Sequence, residues 1–242
     1  MREPAAPVGP VGRLLAWLGG VMFAGALLYF LYSYCVRFGA ADALRRAPAD
    51  VARRVLFNVA LFTVFALHHS ALARFGAKRW IHRYVTQPLE RSLYVWVASG
   101  LFLLTCAWWQ QIPGTVWTLA SPWHWAGWAL QVCGLWLTID ATRTIDALEL
   151  AGIRQVTGHQ TDAAIQARNS YRWVRHPIYL GWVLFTFGAP EMTGTRFVFA
   201  CVSTLYIVIA IPFEERSLVS SFGDAYVAYQ RQVRWRLVPR VY

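Results

Sequence analysis

The chain has 242 residues, 57% of them hydrophobic and only 14% charged, with 13 tryptophans and a formal charge of +11. Soluble domains carry about 25% charged residues, so the composition excludes an ordinary water-soluble globule and points to lipid as the main solvent. The basic excess does not indicate nucleic acid. Of 23 basic residues only Lys78 is a lysine, the arginines sit between apolar runs where anionic headgroups and membrane topology account for them, and no basic stripe interleaves with exposed aromatics.

Six apolar runs follow in order: Leu14 to Val36, Val55 to Leu72, Leu93 to Trp109, Trp123 to Ile139, Ile178 to Ala189 and Phe197 to Phe213. A full crossing needs about 20 apolar residues; the fifth run is too short for that, and the others are long enough or nearly so. The first follows a Pro/Ala-rich start, is too long for a signal-peptide core, and reads as a membrane helix. Pro190, with Thr193-Gly194, breaks the chain between the last two runs, which therefore form a helical hairpin with a short first arm. The expected fold is all-α: a polytopic membrane protein of about five to six transmembrane helices, with interfacial tail helices after the hairpin.

With both ends inside, the inner segments carry two basic residues before the first helix and five each in 74–91, 143–175 and 216–240, against six outside. That bias places both termini in the cytoplasm. The five arginines of the first outer loop (Arg37, Arg45, Arg46, Arg53, Arg54) run against it, which makes the first crossing the weakest part of this topology. Residues 163–168 are compatible with a short surface helix. In the tail, Leu218, Phe222, Tyr226 and Tyr229 recur at helical spacing, and Gly223 divides them into two pieces. Cys35, Cys106, Cys133 and Cys201 all lie in apolar runs without metal-ligand or disulfide spacing, so neither a metal site nor a disulfide is expected.

The concentration of polar groups at the membrane edge is the main functional signal. In Arg175-His176-Pro177-Ile178-Tyr179-Leu180-Gly181, Pro177 suits the first turn of a helix. Arg175 and His176 then stand at its start beside free backbone donors, a setting that favours carboxylate or phosphate. Tyr179 and Trp182 offer aromatic faces, and Gly181 allows close approach of a backbone or ligand. Glu214-Glu215 end the last run, as either a stop-transfer cluster or an acceptor for a hydroxyl, an amine or a sulfonium. His68-His69 end the second run; His69 either orients or deprotonates an acceptor or belongs to an interfacial histidine pair. Trp80, Trp108 and Trp109 read as an aromatic belt, His82, His124 and His159 as surface groups, and Asp140 as an interfacial helix-end carboxylate.

Arg-His-Pro-x-Tyr-x-Gly, followed by Glu214-Glu215, Leu218, Phe222-Gly223, Tyr226, Tyr229, Val233 and Pro239, resembles the isoprenylcysteine carboxyl methyltransferases and phospholipid methyltransferases over roughly the last third of the chain. The resemblance implies S-adenosylmethionine as cofactor, held at the cytoplasmic face of the inner membrane. Arg175, His176, Pro177, Tyr179, Gly181, Glu214, Glu215 and Tyr226 would bind it, with His69, Arg175 and Glu215 as catalytic residues. Asn169-Ser170-Tyr171 stands where the family often has Gly-Pro-Tyr, a departure that Asn tolerates because it enters the left-handed region. Ile178 and Trp182 distinguish the pattern from that of NADPH-dependent sterol reductases. His68-His69-Ser70, Arg74, Lys78-Arg79-Trp80 and Glu90-Arg91-Ser92-Leu93-Tyr94 resemble the NnrU-like branch, which includes bacterial methanethiol S-methyltransferases. The function implied is S-methylation of a small thiol such as methanethiol. Methylation of a prenylcysteine carboxylate or lipid amine, or a non-catalytic membrane role, stands as the alternative. Residues 1–145 are expected to hold the acceptor side and 146–242 the cofactor-binding core.

Overall fold

A computed structural model describes residues 8–40, 48–72, 87–157, 165 and 167–242. In chain order it places α1 (Pro10–Tyr32) running into a π-helical turn (Ser33–Arg37), α2 (Pro48–Leu72), α3 (Gln87–Trp108), β1 (Thr115–Thr118) and α4 (Trp123–Ile145). Short α5 (Ala147–Leu150) and α6 (Arg154–Thr157) lead to a 3-10 turn (Asn169–Arg172), then α7 (Pro177–Phe187), β2 (Glu191–Thr193), α8 (Gly194–Phe222) and α9 (Asp224–Gln232). Lys78, Arg79, Trp80, Arg74, His82, His159 and the surface helix expected at 163–168 fall outside, or largely outside, the described residues.

Among the described residues four helices are long and apolar enough to cross a membrane: Pro10–Arg37, Asp50–Ser70, Leu89–Trp108 and Gly194–Phe222. The first crossing, weakest on arginine bias, thus meets the length requirement. Helix α4 has 23 residues but carries Gln131, Asp140 and Arg143 and is too polar to join them. Helix α7 has 11 residues, about 17 Å at 1.5 Å per residue, and is too short to cross. Leu28, Leu56, Leu67 and Val132 are each at least 65% exposed. Such outward apolar side chains are expected where lipid is the solvent. Trp108, the last residue of α3, also faces out, but Trp109 follows the helix end, where the chain turns away from that face, and is buried, so it does not join the belt. None of the four cysteines forms a disulfide; Cys106 is buried, while Cys35 and Cys133 face outward.

Two compact units make up the chain. The first comprises Met1–Ser33, Thr63–Trp109 and Asp146–Ala163. In it α1 packs on α3, Phe30 and Phe65 lie 5.6 and 5.2 Å from the Phe102 ring, and Ser92 Oγ donates to the Gly152 carbonyl at 2.9 Å. Asp146 accepts from the Leu148 N–H and from Arg154 Nε, capping α5.

The second unit comprises Tyr34–Phe62, Gln110–Ile145 and Ala164–Tyr242. Its core joins Tyr34, Phe38, Phe62 and Phe199 through aromatic contacts. Fully buried Asn58 exchanges two 2.8 Å hydrogen bonds with the Gln110 backbone. Helices α7 and α8 form the expected hairpin, and β2 in their connection pairs antiparallel with β1. Thr193 Oγ1 accepts from Arg196 N and starts α8. That helix continues beyond the apolar run to Phe222, so Glu214, Glu215 and Leu218 are helical and only α9 is a separate tail piece. Helix α7 lies against α4 at glycine contacts: a Cβ on Gly181 would meet Thr138 Oγ1 at 2.4 Å and the Gly134 carbonyl at 2.6 Å. Small residues permit such backbone-to-backbone packing between membrane helices.

Candidate functional site

The site lies in the second unit, where the start of α7, the end of α8 and the C-terminal segment converge. The 3-10 turn before α7 is held from two sides. Asp140 Oδ2 on α4 accepts from Ser170 N at 3.1 Å, and Tyr229 Oη on α9 donates to the Tyr171 carbonyl at 2.8 Å. Asn169 opens the turn with φ 51°, the left-handed conformation anticipated for it, and donates to Thr144 Oγ1 at 3.0 Å. Asp140 is therefore more than a helix-end charge, since it fixes the approach to the motif.

Arg175 and His176 then pass, outside any helix, against the C-terminal segment. Their N–H groups donate to the Trp235 and Arg236 carbonyls, each at 2.9 Å. Pro177 occupies the first position of α7 and gives up no hydrogen bond there.

Glu215 is the centre of the cluster. Its carboxylate receives Arg175 Nε at 2.6 Å and Arg175 Nη2 at 3.3 Å, a forked pairing that fixes both partners. Gln230 Nε2 and Arg236 Nε donate to Oε2 at 3.3 and 3.1 Å, and His176 Nε2 lies 3.3 Å from Oε1. Arg175 Nη1 donates to the Val233 and Arg234 carbonyls at 2.8 and 3.0 Å. Arg175 and Glu215 side chains are only 7% and 5% exposed. Burying both charges costs several kcal/mol per ion, in order of magnitude, unless pairing and hydrogen bonding are this complete. Glu215 thus has its acceptor capacity filled from within the chain, and it ties α7, α8, α9 and the C-terminal segment together.

Glu214 is different. It is one helix position away, so it points to another side, and its side chain is 42% exposed. Tyr179 Oη donates to Oε2 at 2.7 Å, while Oε1 has no hydrogen-bond partner among the described residues. The Tyr179 ring stacks on His176 at 5.4 Å and 6°. Tyr226 is buried, and burial followed by the nearby Glu215 carboxylate pushes its phenol well above the ordinary range. Tyr229 is pushed up to about 12, chiefly by burial.

The structure brings together Arg175, His176, Pro177, Tyr179, Glu214, Glu215 and Tyr226. Gly181 serves the α4 contact, so the close approach it permits is to a helix backbone. His69 belongs to the first unit. There its Nδ1 is 2.7 Å from Tyr94 Oη, and Arg91 covers the Tyr94 ring at 5.0 Å. Sequence reasoning missed Gln230, Arg236 and Asp140 as parts of the constellation; the one available signal was that Gln230 lies on the tyrosine-spaced helix and that Arg234 and Arg236 follow it. Among the described residues no group of histidine, cysteine and acidic side chains could hold a metal ion.

Residues 122–225 match the phospholipid methyltransferase family model, which covers α4 through the hairpin and Glu214-Glu215. That match and the apolar helices define the class, an integral membrane methyltransferase. The methanethiol S-methyltransferase of Mycobacterium tuberculosis is 40% identical over 76% of this chain and 78% of its own length. Methanethiol S-methyltransferase 1 of Bradyrhizobium diazoefficiens is 36% identical over 76% of this chain and 67% of its own. More distantly, rat nurim is 26% identical over 76% of this chain and 73% of its own. The chain belongs to the methanethiol S-methyltransferase family.

Proposed function

We propose that the chain transfers the methyl group of S-adenosylmethionine to methanethiol, giving dimethyl sulfide, at the cytoplasmic face of the inner membrane. The observation that carries this reading is the 40% identity with a methanethiol S-methyltransferase across most of both chains. The arginine bias of the loops supports the orientation. Donor binding falls to the segment 146–242, and handling of the acceptor to 1–145.

The outward residues suit this donor. A half-exposed carboxylate, Glu214, with one oxygen unpartnered among the described residues and Tyr179 holding the other, favours a cationic sulfonium or ammonium. Bound there, the donor supplies a methyl group made electrophilic by its positive sulfur. Glu214 and Tyr179 orient that charged end, and the His176–Tyr179 stack shapes the floor beneath it. Arg175, Glu215, Pro177 and Tyr226 hold these groups in place, and Gly181 seats α7 against α4. Methyl transfer is an in-line displacement, so alignment of acceptor, methyl and leaving sulfur is the protein's main contribution. The acceptor reacts as its thiolate, and His69 is assigned to orient or deprotonate it.

Purified protein given methyl-labelled donor and, separately, methanethiol, a prenylcysteine or phosphatidylethanolamine tests the acceptor. Label is expected in volatile dimethyl sulfide. Label in the prenylcysteine or lipid alone would overturn the thiol assignment.

A further inference from the structure

Within the cluster Arg175 and Glu215 cancel each other out of contact with water. Two charged side chains bordering that pair remain open: Glu214, 42% exposed, and Arg236, 38% exposed. The site therefore presents one accessible negative group and one accessible positive group. A donor that carries a sulfonium, an ammonium and a carboxylate needs such a dipole. Glu214 answers only its cationic part.

We infer that Arg236 anchors the carboxylate of the methyl donor, and that Tyr242 is the residue that positions it; the assignment rests on the donor reading above. Three contacts fix the arginine before any ligand arrives. Its Nε donates to Glu215 Oε2 at 3.1 Å, its Nη1 donates to Tyr242 Oη at 3.3 Å, and its guanidinium lies 5.2 Å from the centre of the Tyr242 ring. Its carbonyl accepts from His176 N at 2.9 Å, which joins its backbone to the motif itself. Nη2 has no hydrogen-bond partner among the described residues, and half of Nη1 is also free to donate. Those two nitrogens form the planar fork that binds a carboxylate in two parallel hydrogen bonds. Burial works against the charge of Arg236, but Glu215 and Tyr242 together raise its pKa, so it stays a cation. Holding a long side chain in one geometry removes an ordering cost from binding. Tyr242 is itself held, because Leu237 and Val238 donate to its carbonyl at 2.9 and 3.1 Å and its side chain packs on the Ile207, Ile211 and Leu237 cluster.

The test compares binding of S-adenosylhomocysteine and its decarboxylated analogue to the purified full chain by calorimetry. The wild type is expected to prefer the carboxylate-bearing ligand by about 10- to 100-fold, the range for a charge-assisted hydrogen-bonded pair. In Arg236→Gln that preference should fall to about threefold or less while affinity for the analogue is retained. Tyr242→Phe, which keeps the ring and loses the hydroxyl, should reduce the preference several-fold with an unchanged melting temperature. If Arg236→Gln weakens both ligands equally, the arginine acts only through Glu215 and the assignment is overturned. If it changes neither, the guanidinium serves another anion, such as a lipid phosphate, and the assignment is again overturned. Should Arg236→Gln fail to fold, Tyr242→Phe decides: an undiminished preference overturns the proposal. A wild type that binds neither ligand instead removes the donor reading, and this assignment falls with it.

Discussion

Replacing Glu215 by alanine should destabilise the protein before it affects chemistry. The side chain is 5% exposed and its carboxylate meets Arg175, His176, Gln230 and Arg236. Removing it strands the Arg175 guanidinium, 7% exposed, with Nε and Nη2 unpaired. Breaking one side of a buried pair costs about 3–5 kcal/mol. At about 2–4 °C per kcal/mol for a chain of this size, the melting temperature in detergent should fall by about 6–20 °C. Glu214→Gln is the control. That side chain is 42% exposed, and its loss should cost no more than about 1 kcal/mol, yet it should weaken binding of S-adenosylhomocysteine. The double variant Arg175→Met with Glu215→Leu should recover much of the lost stability, because a well-packed apolar pair avoids the desolvation penalty. Thermal melting and calorimetry on the same preparations check all three. A Glu215→Ala protein that melts like wild type but no longer binds ligand would refute the division of labour between the two glutamates.

Gly181→Val should separate α4 from α7, since even a Cβ would sit 2.4 Å from Thr138 Oγ1; a cost of about 1–3 kcal/mol is expected and thermal melting measures it. His69→Ala should lower turnover with methanethiol and leave S-adenosylhomocysteine affinity unchanged; unchanged turnover would remove its assigned role. Burial raises the phenols of Tyr171, Tyr226 and Tyr229 above the ordinary value. Their contribution to stability is complete below about pH 10, the unfolded value, and is lost as pH rises above it. Tyrosinate absorbance during alkaline titration should therefore show a late fraction released together with unfolding.

Much of this architecture was legible because lipid imposes length and polarity rules on each segment. The four long apolar helices, the short α7 and the break at Gly223 follow from those rules and from proline and glycine placement, whereas the run from Trp123 to Ile139, also read as a crossing, forms a helix too polar to be counted with them. The strands β1 and β2 were not legible, since four and three residues are too few to show alternation. Nor did spacing reveal that adjacent glutamates have different tasks: which of Glu214 and Glu215 turns inward depends on the rotation of α8, set by partners far away in sequence. Arg236 reads as one more positive tail residue, and only folding sets it beside a carboxylate 21 positions earlier. Asp140 stood out in the sequence only as a helix-end carboxylate, because its partner is a backbone N–H 30 residues on.

Titration of the purified wild-type chain and Glu214→Ala with S-adenosylhomocysteine bears most directly on the claim that this cluster holds the methyl donor. Saturable binding to the wild type is expected, with a loss of at least about tenfold in the variant and no change in its melting temperature. No binding to the wild type, or equal binding to both proteins, would contradict it.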